Sequence, residues 1–155
     1  MKLKNGFSYD KHGWKYVSIR GTPKERGYAY GYLCAVEFAE IQKMLKFLMP
    51  ESYGMSWEWF IKTINEDFNE MTKRDFEEFY EEMKGISEGC NANGCKTSLD
   101  EILAWNYYCS IPYWNGARSV SGATSGKEGG GIGDRCSAFM AVGSDWTEDG
   151  KIVVA

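Results

Sequence analysis

Five cysteines and a single histidine are the residues of this chain whose types could support nucleophilic chemistry. Cys136 differs from the other cysteines in its setting, because it follows the glycine-rich stretch GKEGGGIGDR and opens the strand-like pattern CSAFMAV. A thiol at such a boundary can be an ordinary half-buried strand residue. It can also attack the carbonyl carbon of Arg135, take the acyl group onto sulfur and become a new N-terminal cysteine when water hydrolyses the thioester.

An N-terminal cysteine carries its own general base. An α-amino group titrates at roughly 7.7–8.0 and a thiol near 8.5, so proton transfer between the two is nearly balanced at neutral pH. Cys136 would therefore need no histidine for catalysis. From the residue types alone, the half-buried strand cysteine is the simpler interpretation.

The other candidates for chemistry are weaker. A pair of Cys136 with His12 would use a histidine far upstream, whereas cysteine–histidine enzymes usually place it downstream. Cys90 and Cys95 have four residues between them, but no second pair or histidine cluster completes a zinc tetrahedron. The run GKEGGGIG lacks the G-K-[ST] ending of a phosphate loop, so a flexible linker is favoured.

The first elements expected are a strand and a long helix. The alternating stretch WKYVSIR predicts a strand from Trp14 to Arg20. Thr22 as N-cap and Pro23 at the first helical position predict a helix that stops before Pro50. Within this helix Gly27 and Gly31 share a face, which predicts a close contact with another helix or a sheet. The first 110 residues are expected to hold one strand followed by helices.

Three further helices and a hairpin complete the prediction. Ser56 caps a helix over WEWFIKTINEDFNEM, another runs from near Thr72 to Ser87, and Ser98 with Glu101 forms the capping box of a fourth. Cys34 and Cys109 fall in helical patterns and are expected to be core thiols. After a Gly/Ser-rich loop over 114–135, the patterns CSAFMAV and KIVVA flank an Asp-Gly turn, which predicts a β-hairpin.

Composition limits the classes of function. The 155 residues are 43% hydrophobic and 15% aromatic, which is enough for a folded core of one domain. A formal charge of −4 argues against a nucleic-acid partner. No signal peptide and no run long enough to span a bilayer are visible, so a cytoplasmic location is the default expectation. The acidic stretch NEDFNEMTKRDFEEFYEEMK is interpreted as a solvated helix face.

Three separated blocks resemble a known family. RGTPKERGYAYGYLCAVE resembles the G-x-P-x-E-R-G-x-x-x-G opening of the isopenicillin-N acyltransferase-like family, a branch of the N-terminal-nucleophile (Ntn) hydrolases. MKGISEGCNANGCKTSLDEILAWNYY is similar to that family's K-G-I-x-E-G and S-L-D-E-I-L-A-x-N segment. CSAFMAVGSDWTEDGKIVVA resembles its nucleophile strand and following hairpin, and the pattern is also similar to the related phospholipase B-like proteins.

The resemblance implies an α+β chain: a mostly helical pro-segment over 1–135, then the first β-hairpin, over 136–155, of an αββα Ntn sandwich. It implies that Cys136 is the catalytic nucleophile and that Arg135–Cys136 is the bond cut by autoproteolysis, although the family commonly has a small residue where this chain has Arg135. The substrates implied are small molecules with linear amide or related acyl bonds, with no metal and no organic cofactor. The rest of the catalytic subunit is the expected partner, because the sandwich and its remaining site residues are expected beyond Ala155, and the fragment alone is expected to be inactive.

A second function stays open. The helical part could be a non-enzymatic binding or interaction module whose exposed aromatic residues contact a partner. An unreactive Cys136 in a stable, uncleaved chain would distinguish this module from the zymogen of a hydrolase.

Overall fold

The computed structural model describes residues 1–111 and, beyond them, two short strands at 140–141 and 153–154. The chain begins with an antiparallel sheet of three strands in the order β1–β2–β3, which are Lys2–Leu3, Gly6–Lys11 and Trp14–Ile19. The strand predicted at 14–20 is therefore confirmed as β3. The expectation of a single strand before the helices is wrong, because β1 and β2 precede it.

A tight turn explains the additional strands. His12 and Gly13 both have positive φ, 52° and 81°, and they join β2 to β3. Two positive φ values in a two-residue loop fit a type I′ turn, whose twist matches that of the paired strands. The stretch FSYDK before the turn alternates as β3 does, so the sequence carries the signal of a His-Gly hairpin that the prediction of a single strand omits.

The long helix predicted after Thr22 is two helices. The first, α1, is Pro23–Leu33, and the second, α2, is Ala35–Tyr53. They are separated at Cys34, whose φ and ψ of −113° and 19° are not helical. The predicted end before Pro50 is also wrong: α2 includes Pro50 and stops at Gly54, which adopts the left-handed conformation typical of a helix end.

The other three helices agree with the prediction in number and shift in boundaries. They are α3 at Trp57–Asp75, α4 at Glu77–Ala92 and α5 at Leu99–Tyr107. Ser56 caps α3 as predicted, since its hydroxyl accepts the Trp59 N–H at 3.1 Å. The helix expected from Thr72 to Ser87 is displaced, because α3 continues through Thr72 and breaks at Phe76.

Helix α1 lies directly against α4, and the contact is made by glycines on both sides. A Cβ atom at Gly27 would lie 2.0 Å from the Glu82 carbonyl oxygen, and one at Gly31 would lie 2.2 Å from that of Ile86. Reciprocally, Cβ atoms at Gly85 and Gly89 would lie 2.2 Å and 2.1 Å from carbonyl oxygens of α1. The close helix contact predicted from the glycine pair of α1 is confirmed, and its partner is the glycine pair of α4.

The helices enclose one apolar core. Its largest fully buried side chains come from α2 to α5 and from the residue that follows the short 3-10 turn Tyr108–Ser110, namely Leu45, Met49, Trp57, Phe60, Ile64, Cys90, Ile102, Leu103 and Ile111. The three-stranded sheet covers one side of this core through Val17 and Ile19. The chain thus combines a helical layer with a small sheet, which is an α+β arrangement.

The hairpin predicted near the end of the chain is confirmed in its pairing. Strands β4, Met140–Ala141, and β5, Val153–Val154, are antiparallel, with Met140 opposite Val154 and Ala141 opposite Val153. The predicted loop at 114–135 lies outside the described residues.

Candidate functional site

The predicted nucleophile and cleavage site, Cys136 and Arg135, lie outside the described residues. The structure does describe the strand pair that follows them, since β4 begins four residues after Cys136. The pairing of β4 with β5 is the arrangement expected of a nucleophile strand that continues into a hairpin. The described residues therefore do not include the reacting atoms of the predicted site.

The described thiols are poor nucleophiles with one exception. Burial raises the pKa of Cys34, and the nearby Glu37 carboxylate raises it further. Burial also raises the pKa of Cys95, and it raises that of Cys90 to about 12. A thiol reacts as its thiolate, so these three side chains are nearly inert at neutral pH. The exception is Cys109, which is exposed in the 3-10 turn, so its predicted place in the core is wrong.

Cys90 and Cys95 contact each other at the end of α4. The Cys95 N–H donates to the Cys90 carbonyl at 2.9 Å, and the Cys95 thiol contributes to the raised pKa of Cys90. The Cys95 thiol also lies 3.5 Å from Oε1 of Gln42. No group of three or more histidine, cysteine, aspartate or glutamate side chains able to hold a metal occurs within the described part of the chain. The pair is therefore a packed structural contact.

His12 is exposed at the tip of the β2–β3 hairpin. Its positive φ shows that it is used for the turn. The structure does not bring His12 to any of the described thiols, and its relation to Cys136 lies outside the described residues.

The half-buried side chain of Glu101 holds the start of α5, and the sequence predicts only part of its role. The Ser98 hydroxyl accepts the Glu101 N–H at 3.1 Å, which is the first half of the predicted capping box. The Glu101 carboxylate does not return to the cap; it accepts from Trp57 Nε1 at 3.0 Å, Gln42 Nε2 at 2.8 Å and Thr97 Oγ1 at 2.9 Å. These bonds tie α5 to α2 and α3. The capping box that forms fully through its carboxylate is at Thr22, whose N–H donates to Glu25 Oε2 at 2.9 Å.

An apolar groove crosses the helical layer. Its central part, 330 Å³, is lined by Tyr30, Phe38, Trp105 and Cys109 among others. A second part of 240 Å³ shares Tyr30, Phe38 and Trp105 with the first, and a third part of 260 Å³ shares Ile86. Cys109 lies two residues before Ile111, the last residue of the described helical part.

One polar pair is placed at the sheet end of the groove. Lys15 Nζ lies 3.1 Å from Glu37 Oε1 and 3.3 Å from Asp10. The hydrogen bond to Glu37 raises the pKa of Lys15, so the ammonium stays charged. The other oxygen of Glu37 is buried and accepts no hydrogen bond from the described residues. The Lys15–Glu37 pair can orient a polar group of a ligand. The neighbouring Cys34 thiol has a raised pKa and is therefore neutral, so it is not an effective nucleophile there.

Comparisons of the chain with family models, with curated proteins and with solved structures give no match in any of the three. The resemblance noted in the sequence therefore rests on its own three blocks. None of the described helices is long and apolar enough to cross a membrane.

Proposed function

We propose that the chain is the pro-segment and nucleophile strand of a cysteine hydrolase or acyltransferase of the N-terminal-nucleophile class. The observation that carries the proposal is the position of Cys136, directly after a glycine-rich segment and directly before a strand pattern whose continuation pairs as a hairpin. The three blocks of resemblance occur in the order of the isopenicillin-N acyltransferase-like family and support the same assignment.

The proposed maturation begins with attack of the Cys136 sulfur on the Arg135 carbonyl carbon. A C–S bond forms, the C–N peptide bond breaks, and the released amine of Cys136 takes up a proton. Water then adds to the thioester, the C–S bond breaks, and the products are an Arg135 carboxylate and a free Cys136 thiol with its own α-amino group.

The mature Cys136 then acts on linear amide or related acyl bonds. Its α-amino group accepts the thiol proton, the sulfur forms an acyl-enzyme, and the leaving group departs with the proton. Water completes hydrolysis, or an amine completes acyl transfer. Backbone N–H groups near the sulfur supply the oxyanion stabilisation in such sites.

The first test is the intact mass of the protein purified from its native source, with N-terminal sequencing of every species. A species that begins at Cys136 is expected, together with its complement ending at Arg135. The Cys136→Ala variant should remain a single chain. Hydroxylamine should accelerate separation of the wild-type chains, because it cleaves a thioester faster than an amide.

The matched control is Cys109→Ala, which removes the exposed thiol among the described cysteines. This variant should split like the wild type. Splitting of Cys136→Ala at the same bond, or failure of Cys109→Ala to split, would contradict the assignment of the nucleophile.

A binding or interaction module is the second candidate. The observation that favours it is the exposed aromatic face of the N-terminal sheet, where Trp14 is 73% exposed. A stable uncleaved chain with an unreactive Cys136 would support the module over the hydrolase.

A further inference from the structure

One face of the N-terminal sheet carries a group of exposed aromatic side chains, which we name the aromatic face. In the β2–β3 register Tyr9 lies opposite Tyr16, Phe7 opposite Ser18, and Lys11 opposite Trp14. Residues directly opposite in an antiparallel pair project to the same side of the sheet. Trp14 is 73% exposed, and the other three aromatic side chains are each nearly half exposed, namely Phe7, Tyr9 and Tyr16.

The opposite face of the sheet is the one that packs on the helices. Ser8 is buried, and Val17 and Ile19 contact the apolar core. The aromatic face is therefore on the outer side of the sheet. Within the described residues no element covers it.

The charge on the aromatic face has one sign. Lys2 lies opposite Phe7 and Lys11 lies opposite Trp14, so a lysine stands at each end of the aromatic group. The acidic residue of β2, Asp10, is on the helix side, where it pairs with Lys15. Residues 1–20 hold five basic side chains and one acidic side chain, although the whole chain has a formal charge of −4.

We infer that the aromatic face docks on the surface of an anionic lipid bilayer. Tryptophan and tyrosine rings partition into the interface between headgroups and acyl chains, where the ring is in contact with apolar groups and the polar atom with water. Lysines extend along such a surface and place their ammonium groups among anionic headgroups. The hairpin tip, with its Trp14, Lys11 and His12, enters the interface, and the helices remain outside the bilayer. The inference is independent of the proposed hydrolase function.

The arrangement of the rings favours a lipid surface over a nucleic acid. The Tyr9 and Tyr16 rings stack on each other with centroids 5.0 Å apart and an angle of 4° between their planes, and the Phe7 ring lies within 13° of the Tyr9 plane. Base recognition by stacking needs free ring faces. The Tyr9 ring has a neighbouring ring on either side, so it has little free face for a base, and its hydroxyl suits an interface between water and hydrocarbon.

The test is sedimentation of the full chain with vesicles of phosphatidylcholine alone and of phosphatidylcholine with phosphatidylserine. Binding to the mixed vesicles is expected, with little binding to the neutral ones. Lys11→Glu should weaken binding by more than about fivefold, since each basic residue near an anionic surface contributes roughly that factor. Trp14→Ala should weaken binding too, and the wild-type tryptophan fluorescence should shift to the blue on binding.

Matched controls come from α2, where Lys46 and Phe47 are both exposed. Lys46→Glu and Phe47→Ala change the same kinds of side chain away from the sheet and should bind like the wild type. Circular dichroism of each variant checks that it is folded. Three results would each overturn the inference. The wild type and Trp14→Ala could bind equally, the wild type could bind neither kind of vesicle, or the chain could form a dimer that Trp14→Ala abolishes without any vesicle binding.

Discussion

The contact between α1 and α4 gives the sharpest prediction of stability. Replacing Gly31 by alanine adds a Cβ that would lie 2.2 Å from the Ile86 carbonyl oxygen and 3.0 Å from the Cys90 nitrogen. Both neighbours are backbone atoms of α4, so no side-chain rotation can relieve the overlap. The two helices must move apart by roughly 1 Å, which is a large fraction of the range over which dispersion contacts are lost.

The expected magnitude follows from two opposing terms. Overpacking of a close contact costs about 1–3 kcal/mol. Alanine is favoured over glycine inside a helix by about 1 kcal/mol, which offsets part of that cost. The difference leaves a net loss: we expect Gly31→Ala to lower the free energy of unfolding by about 1 kcal/mol, which corresponds to a fall in Tm of about 2–4 °C for a chain of this size.

Urea unfolding followed by circular dichroism measures this change. Val36→Ala on α2 is the control, because Val36 is 70% exposed and its truncation should change stability by less than about 0.5 kcal/mol. The double variant Gly31→Ala with Gly89→Ala should cost less than the sum of the single variants, because the first alanine has already separated the helices. A Gly31→Ala protein that gains about 1 kcal/mol, as helix propensity alone would give, would refute the backbone contact.

Three other measurements follow from the described residues. Glu101→Ala should lower the free energy of unfolding by about 2–3 kcal/mol in urea, because the buried N–H of Trp57 loses its acceptor, whereas Glu101→Gln should lose less. A thiol reagent at pH 8 should modify Cys109 in the native protein and reach three further thiols only after unfolding, namely Cys34, Cys90 and Cys95. The pKa of Cys90 is raised from 9.0 to about 12 in the folded chain, so above pH 9 the unfolded chain releases this proton first and stability falls as the pH rises. This contribution is about 1.4 kcal/mol per pH unit, and unfolding at several pH values should show a shallower loss for Cys90→Ala than for the wild type.

Local signals in the sequence predicted those features of the fold that depend on a few neighbouring residues. Ser56 and Ser98 were predicted to cap helices and do so, because a cap needs only one hydroxyl and the N–H groups that follow it. The pair Gly27 and Gly31 predicted a close approach, but the sequence could not show that its partner is the second glycine pair in α4. That partnership joins residues more than fifty positions apart.

The predictions that were wrong concern features that depend on how the helices pack against one another. The helix break at Cys34 is not marked by a glycine or proline at that position. It turns the chain so that α1 lies on α4 while α2 packs on the core. Pro50 predicts a helix stop, but it lies in the last turn of α2, where the missing N–H removes a single hydrogen bond. The Glu101 carboxylate was assigned to a local cap, whereas tertiary donors from two other helices hold it.

The structure also divides the resemblance into parts of different meaning. In the first block, Glu25 caps α1, Arg26 lies 2.8 Å from Glu82 of α4, and the glycines make the helix contact. In the second block, Gly85 and its companion complete that contact, and the SLDE segment anchors α5. Each of these residues has a role in the fold that explains its type and spacing, so none of them requires a catalytic role as an explanation. The residues of the first two blocks thus have structural roles within this chain, and the proposed chemistry depends most directly on the third block, which is why the mass of a Cys136→Ala protein is more decisive than any experiment on the helices.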